Sequence, residues 1–375
     1  MRRLLAVGLL AGCYAPSPPA GSPCLDGVCP TGLVCSPATN TCEHGSADRD
    51  AAPDDALTDA NPPSDGSTAL FMYRRRITIV NASPTSLAAG FTIRLPLNNT
   101  LATLVNQGKA KADFSDVRVI GDGSLGERDR IIDTAPAPSA LSFSLAQPVN
   151  AGATNTSYYV YYGAPSAGAA PANGNAVFPI YDDFTTTIST SWLKNDGPAV
   201  SGGKLVLRAA HTDAITTQAA SDGVPLVSAI ELVASVANPI SDPTVQTEGT
   251  FYYWWGYQHT GDFSASDPWS VWIARGKGQV HGEQKSPVGC ELGCDGPYVA
   301  QTTAARYYAI ERDPAATRFY LDGSLSYTAA VANGADYSVM IRNYQATSDV
   351  TVDWVRARAR VTPDPAVTLG AEETL

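Results

Sequence analysis

What most constrains this chain is its rhythm. From residue 70 onward, short runs rich in Val, Ile, Thr, Tyr and Phe alternate apolar with polar side chains and stop at Gly, Pro, Asn or Asp. Alternation over roughly 4–8 residues marks half-buried strands, and the sustained 3.6-residue period of helices is missing. An all-β fold is therefore predicted. Strands are expected at 73–80, 91–97, 117–120, 128–133, 141–145 and 158–162, with one short helix at 98–107. A second series is expected at 204–208, 227–236, 249–257, 269–274, 307–312, 318–321, 337–343 and 350–358. A connector at 166–176, rich in Ala, Gly, Pro and Asn, separates the two series. Residues 70–165 suit a small β-sandwich and residues 177–372 a jelly roll.

The first 69 residues have no such rhythm. Met1-Arg2-Arg3 is basic, 4–10 is apolar, and small residues follow, which is the layout of a secretory signal peptide. The apolar run is too short to cross a bilayer. Leu10-Ala11-Gly12-Cys13 resembles the lipobox of bacterial lipoproteins. That resemblance implies removal of residues 1–12, lipid on Cys13 and, with Tyr14 in place of aspartate, sorting to the outer membrane. A cysteine carrying several acyl chains is held firmly at a membrane, whereas one chain holds only marginally. The expectation is an exported protein, lipid-anchored at the outer membrane or cell surface.

Of seven cysteines, setting Cys13 aside leaves six, an even number that suits an oxidising compartment. After a linker at 13–23, Cys24, Cys29, Cys35 and Cys42 fall within 24–42, a segment too short to bury a core. Two disulfides are expected there, with three connectivities open. Zinc is the alternative, but no Cys-x-x-Cys spacing is present. Cys290 and Cys294 are expected to close a small loop by a disulfide. Residues 43–69 are rich in Asp, Ala, Pro and Ser, and their composition predicts a disordered tether. As a flexible coil it would span about 30 Å.

Three stretches of the first β-rich block resemble the bacterial domain of unknown function 2341. They are Tyr73-Arg74-Arg75-Arg76-Ile77-Thr78-Ile79, Phe114-Ser115-Asp116-Val117-Arg118-Val119 and Tyr158-Tyr159-Val160-Tyr161-Tyr162-Gly163-Ala164-Pro165. The resemblance implies extracytoplasmic placement and no catalytic residues. The second block is similar to the concanavalin A-like lectin and glucanase fold. Its entry is Tyr181-Asp182-Asp183-Phe184, its middle is Tyr308-Ala309-Ile310-Glu311-Arg312 with Thr317-Arg318-Phe319-Tyr320-Leu321-Asp322-Gly323, and its exit is Val352-Asp353-Trp354-Val355-Arg356. In that fold the exit strand pairs near the entry strand. The ending Val367-Thr368-Leu369-Gly370-Ala371-Glu372 is also common there.

That fold hosts glycosidases, some of which place catalytic carboxylates as Glu-x-Asp-x-Glu on one strand face. The chain has no complete run of this kind; Glu311-Arg312-Asp313 is the nearest approach. No Gly-x-Ser-x-Gly elbow or phosphate-cradling glycine loop is present either. No catalytic residue, metal site or cofactor is therefore assigned. A metal at His281 would need a further ligand that the sequence does not specify. Asp182, Asp183 and Asp353 could hold calcium, but Asp183 and Asp353 are better read as hydrogen-bond acceptors at strand ends.

The densest aromatic stretch is Phe251-Tyr252-Tyr253-Trp254-Trp255-Gly256-Tyr257. Alternation sends Tyr252 and Trp254 to one face and Tyr253, Trp255 and Tyr257 to the other. Tyr252, Trp254 and Trp272, flanked by His259, His281 and Glu283, are expected to form a groove for glycan or another surface polymer. The competing expectation buries both faces, one of them against the first domain. A net charge of −11 leaves no basic footprint for nucleic acid. The sequence thus predicts a lipid-anchored envelope protein with a non-catalytic, glycan-binding jelly roll. The alternatives are a polysaccharide hydrolase with dispersed carboxylates and a structural or adhesive envelope component.

Overall fold

The computed structural model describes residues 34–36, 41–43, 71–217, 225–237, 252–258, 269–275, 279–286, 290–331, 333, 337–344, 346 and 348–375. Cys13, Cys24, Cys29, the tether, His259, and the side chains of Tyr252, Cys35, Cys42 and Cys290 lie outside the described residues. The chain forms two compact units, Met1–Asp59 and Ala60–Leu375. In the first, strands β1 (Val34–Ser36) and β2 (Thr41–Glu43) pair antiparallel and set Cys35 opposite Cys42.

The second unit is almost entirely strand. Its first sandwich contains β3 (Tyr73–Val80), β4 (Thr92–Pro96), helix α1 (Thr100–Asn106), β5 (Arg118–Gly121), β6 (Gly126–Arg128), β7 (Arg130–Asp133), β8 (Ala140–Ser144) and β9 (Thr154–Tyr162). Alternation works as the sequence predicts. Ile77 and Ile79 of β3 and Tyr158, Val160 and Tyr162 of β9 enter the core, while Tyr159 and Tyr161 face outward. Leu101 and Leu104 bring α1 against the same core.

After α2 (Gly174–Val177) come β10 (Ile180–Asp182), β11 (Trp192–Asn195), β12 (Ala199–Ser201), β13 (Lys204–Leu207), β14 (Ala214–Thr217) and β15 (Ser228–Val236). They are followed by β16 (Tyr252–Gln258), β17 (Trp269–Arg275), β18 (Gln279–Ser286), β19 (Cys290–Asp295), β20 (Val299–Ala300) and β21 (Arg306–Asp313). The series ends with β22 (Ala316–Leu321), β23 (Ser324–Ala329), β24 (Ser338–Tyr344), β25 (Val350–Ala359) and β26 (Ala366–Thr374). Two antiparallel sheets face each other as a jelly roll. Sheet I runs β12-β13-β25-β15-β21-β22-β23, with β10 beside β25; sheet II runs β11-β14-β24-β16-β17-β18-β19, with β20 beside β18. The expected pairing of entry and exit is present, with Asp182 opposite Val355.

One expected boundary is corrected. The stretch 366–374 does not close the jelly roll. It pairs along β3, from Ala366 opposite Val80 to Thr374 opposite Tyr73, and completes a five-stranded sheet β26-β3-β9-β5-β6 in the first sandwich. Arg74 binds Glu373 at 2.7 Å, and Tyr162 donates to Glu372 at 2.7 Å. The second sheet of that sandwich is β4-β8-β7. The jelly roll is therefore an insertion into the first sandwich.

The jelly-roll core is aromatic. Trp255 and Trp272 of sheet II meet Tyr308 of sheet I edge-on at 4.7 and 5.5 Å, and Trp272 meets Phe319 at 5.8 Å. Gly282 lets β18 approach that cluster, because a Cβ there would lie 2.5 Å from the Phe319 ring. Gly256, with φ of +151°, sits where a Cβ would lie 2.3 Å from the Ser270 carbonyl oxygen.

Candidate functional site

The register across sheet II decides which side chains share its outer face. Directly opposed residues of neighbouring strands point the same way. Trp254 opposes Arg342 and Ile273, and Ile273 opposes His281. Val271 opposes Glu283, Trp269 opposes Lys285, and Glu283 opposes Asp295. Four strands thus deliver Trp254, Trp269, Val271, Ile273, His281, Glu283 and Asp295 to one surface. Trp254, Trp269, Val271, Ile273 and Met340 form its apolar floor.

Polar groups gather at one side of this floor. Trp269 Nε1 donates to Glu283 Oε1 at 3.1 Å. His281 Nε2 lies 3.6 Å from Glu283 Oε2 and 3.7 Å from Asp295 Oδ1. The Tyr298 ring packs 4.2 Å from the His281 ring, and its hydroxyl donates to Asp295 Oδ2 at 3.2 Å. The Lys285 ammonium stands 4.8 Å above the Trp269 ring. His281 and Glu283 are buried, whereas Asp295 and Tyr298 reach solvent. Access to the cluster is therefore from the β19–β20 rim.

Of the residues singled out in sequence, the structure joins Trp254, His281 and Glu283. It separates Trp272, which opposes Trp255, lies in the core and donates its Nε1 to the Ala309 carbonyl at 3.2 Å. Trp272 is thus removed from the groove, because strand parity sends it inward. Trp254 is only 2% exposed, so it offers no open ring face for stacking. The first sandwich packs on sheet I, where Asp133 meets Arg356. Trp269, Asp295 and Tyr298 were missed. The parity of Trp269 against Trp272 was visible in sequence, but which face turned outward was not. Cys294, next to Asp295, is disulfide-bonded.

The carboxylates of sheet I are occupied. Arg356 makes a two-pronged pair with Asp133 of β7 at 2.8 and 2.6 Å, and its Nε donates to Glu231 Oε2 at 2.8 Å. Burial alone would raise the Glu231 carboxyl, but Arg356, Arg94 and Arg358 hold it well below the usual carboxylate range. Glu311 lies 3.2 Å from Arg360, and Asp313 lies 2.6 Å from Arg318. Both carboxylates of Glu311-Arg312-Asp313 are thus held in ion pairs. A cavity of about 290 Å³ opens at this junction, but its charged walls, Asp133 and Arg356, are paired with each other. Asp182 accepts from the Phe184 and Ser189 amides, and Asp353 pairs with Lys204 at 2.7 Å.

No family model matches the chain, and no curated protein matches it. Several solved structures are similar over about half of its length. A laminarinase from Rhodothermus marinus is 14% identical over 48% of this chain and 96% of its own, with a TM-score of 0.38. The laminarinase catalytic domain of Thermotoga maritima MSB8 is 10% identical over 49% and 98%, with a TM-score of 0.39. A Bacillus licheniformis β-glucanase is 14% identical over 48% and 98%, with a TM-score of 0.35. No described helix is long and apolar enough to cross a membrane.

Proposed function

We propose that the chain is a lipid-anchored envelope protein that presents its jelly roll to a glycan or another surface polymer without cleaving it. The observation that carries this reading is the rim of sheet II, where Asp295 and Tyr298 reach solvent beside buried His281, Glu283 and Trp269. A ring and a carboxylate that both reach solvent are what a sugar needs for stacking and hydroxyl bonding. The first sandwich serves as the domain of unknown function 2341 and the tether as a spacer, with Cys290 and Cys294 joined at the rim. Binding to a panel of envelope and plant polysaccharides tests the lead reading. Tyr298→Ala and Asp295→Asn should each weaken retention about tenfold, roughly 1.4 kcal/mol. No retention by the unaltered chain, or retention indifferent to both changes, sinks it. Palmitate-analogue labelling should be lost in Cys13→Ser.

A second reading, hydrolysis, is favoured by one observation. Glu283 and Asp295 are opposed across β18 and β19, and their nearest oxygens lie within 4.8 Å. Retaining glycosidases hold their two carboxyls about 5–5.5 Å apart. Release of reducing ends that disappears in both Glu283→Gln and Asp295→Asn would replace the binding reading with this one.

A further inference from the structure

We propose that His281, Glu283 and Asp295 hold a first-row divalent metal ion of the zinc type. The distances are the first reason. The 3.6 and 3.7 Å separations from His281 Nε2 exceed a hydrogen bond, which for N–H···O is about 2.7–3.2 Å. They approach the spacing of ligands around a common ion. Zinc takes imidazole nitrogen and carboxylate oxygen at about 2.0–2.2 Å, and a tetrahedron of that size has edges of about 3.3–3.6 Å. One donor atom from each residue falls within a mutual 4.8 Å.

The second reason is independent of the carboxylates. The His281 side chain is 1% exposed, and neither ring nitrogen has a hydrogen-bond partner among the described residues. Leaving a buried polar group unpaired costs about 1–3 kcal/mol, so an imidazole is seldom stranded this way without a use. A lone pair donated to an ion removes the cost. The carboxylates are also prepared as ligands. Trp269 holds one Glu283 oxygen and Tyr298 one Asp295 oxygen, and in each case the other oxygen is the one near His281. Such outer hydrogen bonds orient ligands around biological metals.

Donor chemistry selects the metal. One imidazole and two carboxylates suit zinc or its neighbours, whereas calcium takes six to eight oxygens. Three protein ligands leave a fourth position, and the exposed side of Asp295 opens it to solvent. An ion there would make Glu283 and Asp295 ligands instead of acid and nucleophile. The cluster Asp196, His211 and Asp213 is different, because Arg208 already donates to both Asp213 oxygens.

This inference stands apart from glycan binding, since it is read with no polysaccharide present. The chain, oxidised and stripped with a chelator, is titrated with zinc, and the metal retained after gel filtration is counted. One zinc per chain is expected. Asp295→Asn and His281→Phe should each weaken binding at least about tenfold, the lower end of what loss of a supporting group costs a metal site. His211→Ala should leave binding unchanged. Asp295 is half-exposed, so its amide variant keeps the fold, which near-ultraviolet circular dichroism verifies. Cobalt(II) should give the visible spectrum of a nitrogen–oxygen site in the unaltered chain and not in His281→Phe. Failure of the unaltered chain to retain zinc, or retention in Asp295→Asn and His281→Phe as strong as in the unaltered chain, overturns the proposal.

Discussion

The two outer faces of the jelly roll bury charged groups in opposite ways. On sheet I, Arg356 lies among Asp133, Glu231, Phe178 and Trp354, and the first sandwich seals the cluster. Opposite charges from two domains meet, and the guanidinium donates to both acids. On sheet II, an equally buried imidazole stands beside two carboxylates at distances too long for hydrogen bonds, and neither of its ring nitrogens is hydrogen-bonded among the described residues. The contrast separates two uses of buried charge. A satisfied network fixes how domains meet, while an imidazole left without a hydrogen bond is open to a further ligand.

The comparison can be broken most severely on sheet I. Arg356→Leu leaves Asp133 and Glu231 buried without their main partner and should cost about 3–5 kcal/mol in denaturant unfolding. Replacing all three residues by leucine should recover most of that loss; no recovery would mean that packing, not charge, holds the face. Acid should act next. Glu231 has a folded pKa held below its unfolded value of about 4.3, so its contribution is complete above that value and is lost as pH falls. The groups facing it are Arg94 of β4 and Arg356 and Arg358 of β25, with Asp133 of β7 alongside. Stability should therefore decline below about pH 4–5, and Glu231→Gln should flatten that slope.

Sheet II should respond weakly to the same kind of change. His281→Phe keeps a ring of similar bulk and removes two unpaired nitrogens, so in metal-free protein its stability should change by less than about 1 kcal/mol or rise. A loss as large as that of Arg356→Leu would show that His281 is a structural group. Asp295→Asn, at the exposed rim, should stay within about 0.5 kcal/mol. Thermal or denaturant unfolding of both variants without metal measures the two effects.

Much of this architecture was legible in the sequence, because alternation is a local signal. Ile77 and Ile79, or Trp255 and Tyr257, announce an inward face within one strand. Register is not local, and that explains the misplaced Trp272. Its opposition to Trp269 could be read, but only pairing with β16 shows that it shares the side of Trp255. Strand β18 escaped for another reason. Gln279–Ser286 carries polar residues on both faces, with Gln284 bonded to Ser270 inside and His281 and Glu283 outside. The candidate site therefore sits where alternation fails. Strand β26 looked like any closing strand, and nothing near it identifies β3 as its neighbour.

That last pairing also reverses the order of assembly. Glu373 and its partner Arg74 are 299 residues apart, and the whole jelly roll is synthesised between them. The inserted domain can close on itself as soon as β25 is made. The host cannot, since β3 keeps an unpaired edge until β26 arrives, and such edges invite wrong partners. The domain begun first is finished last. Removal of 366–374 would thus injure not the neighbouring jelly roll but the opposite end of the fold.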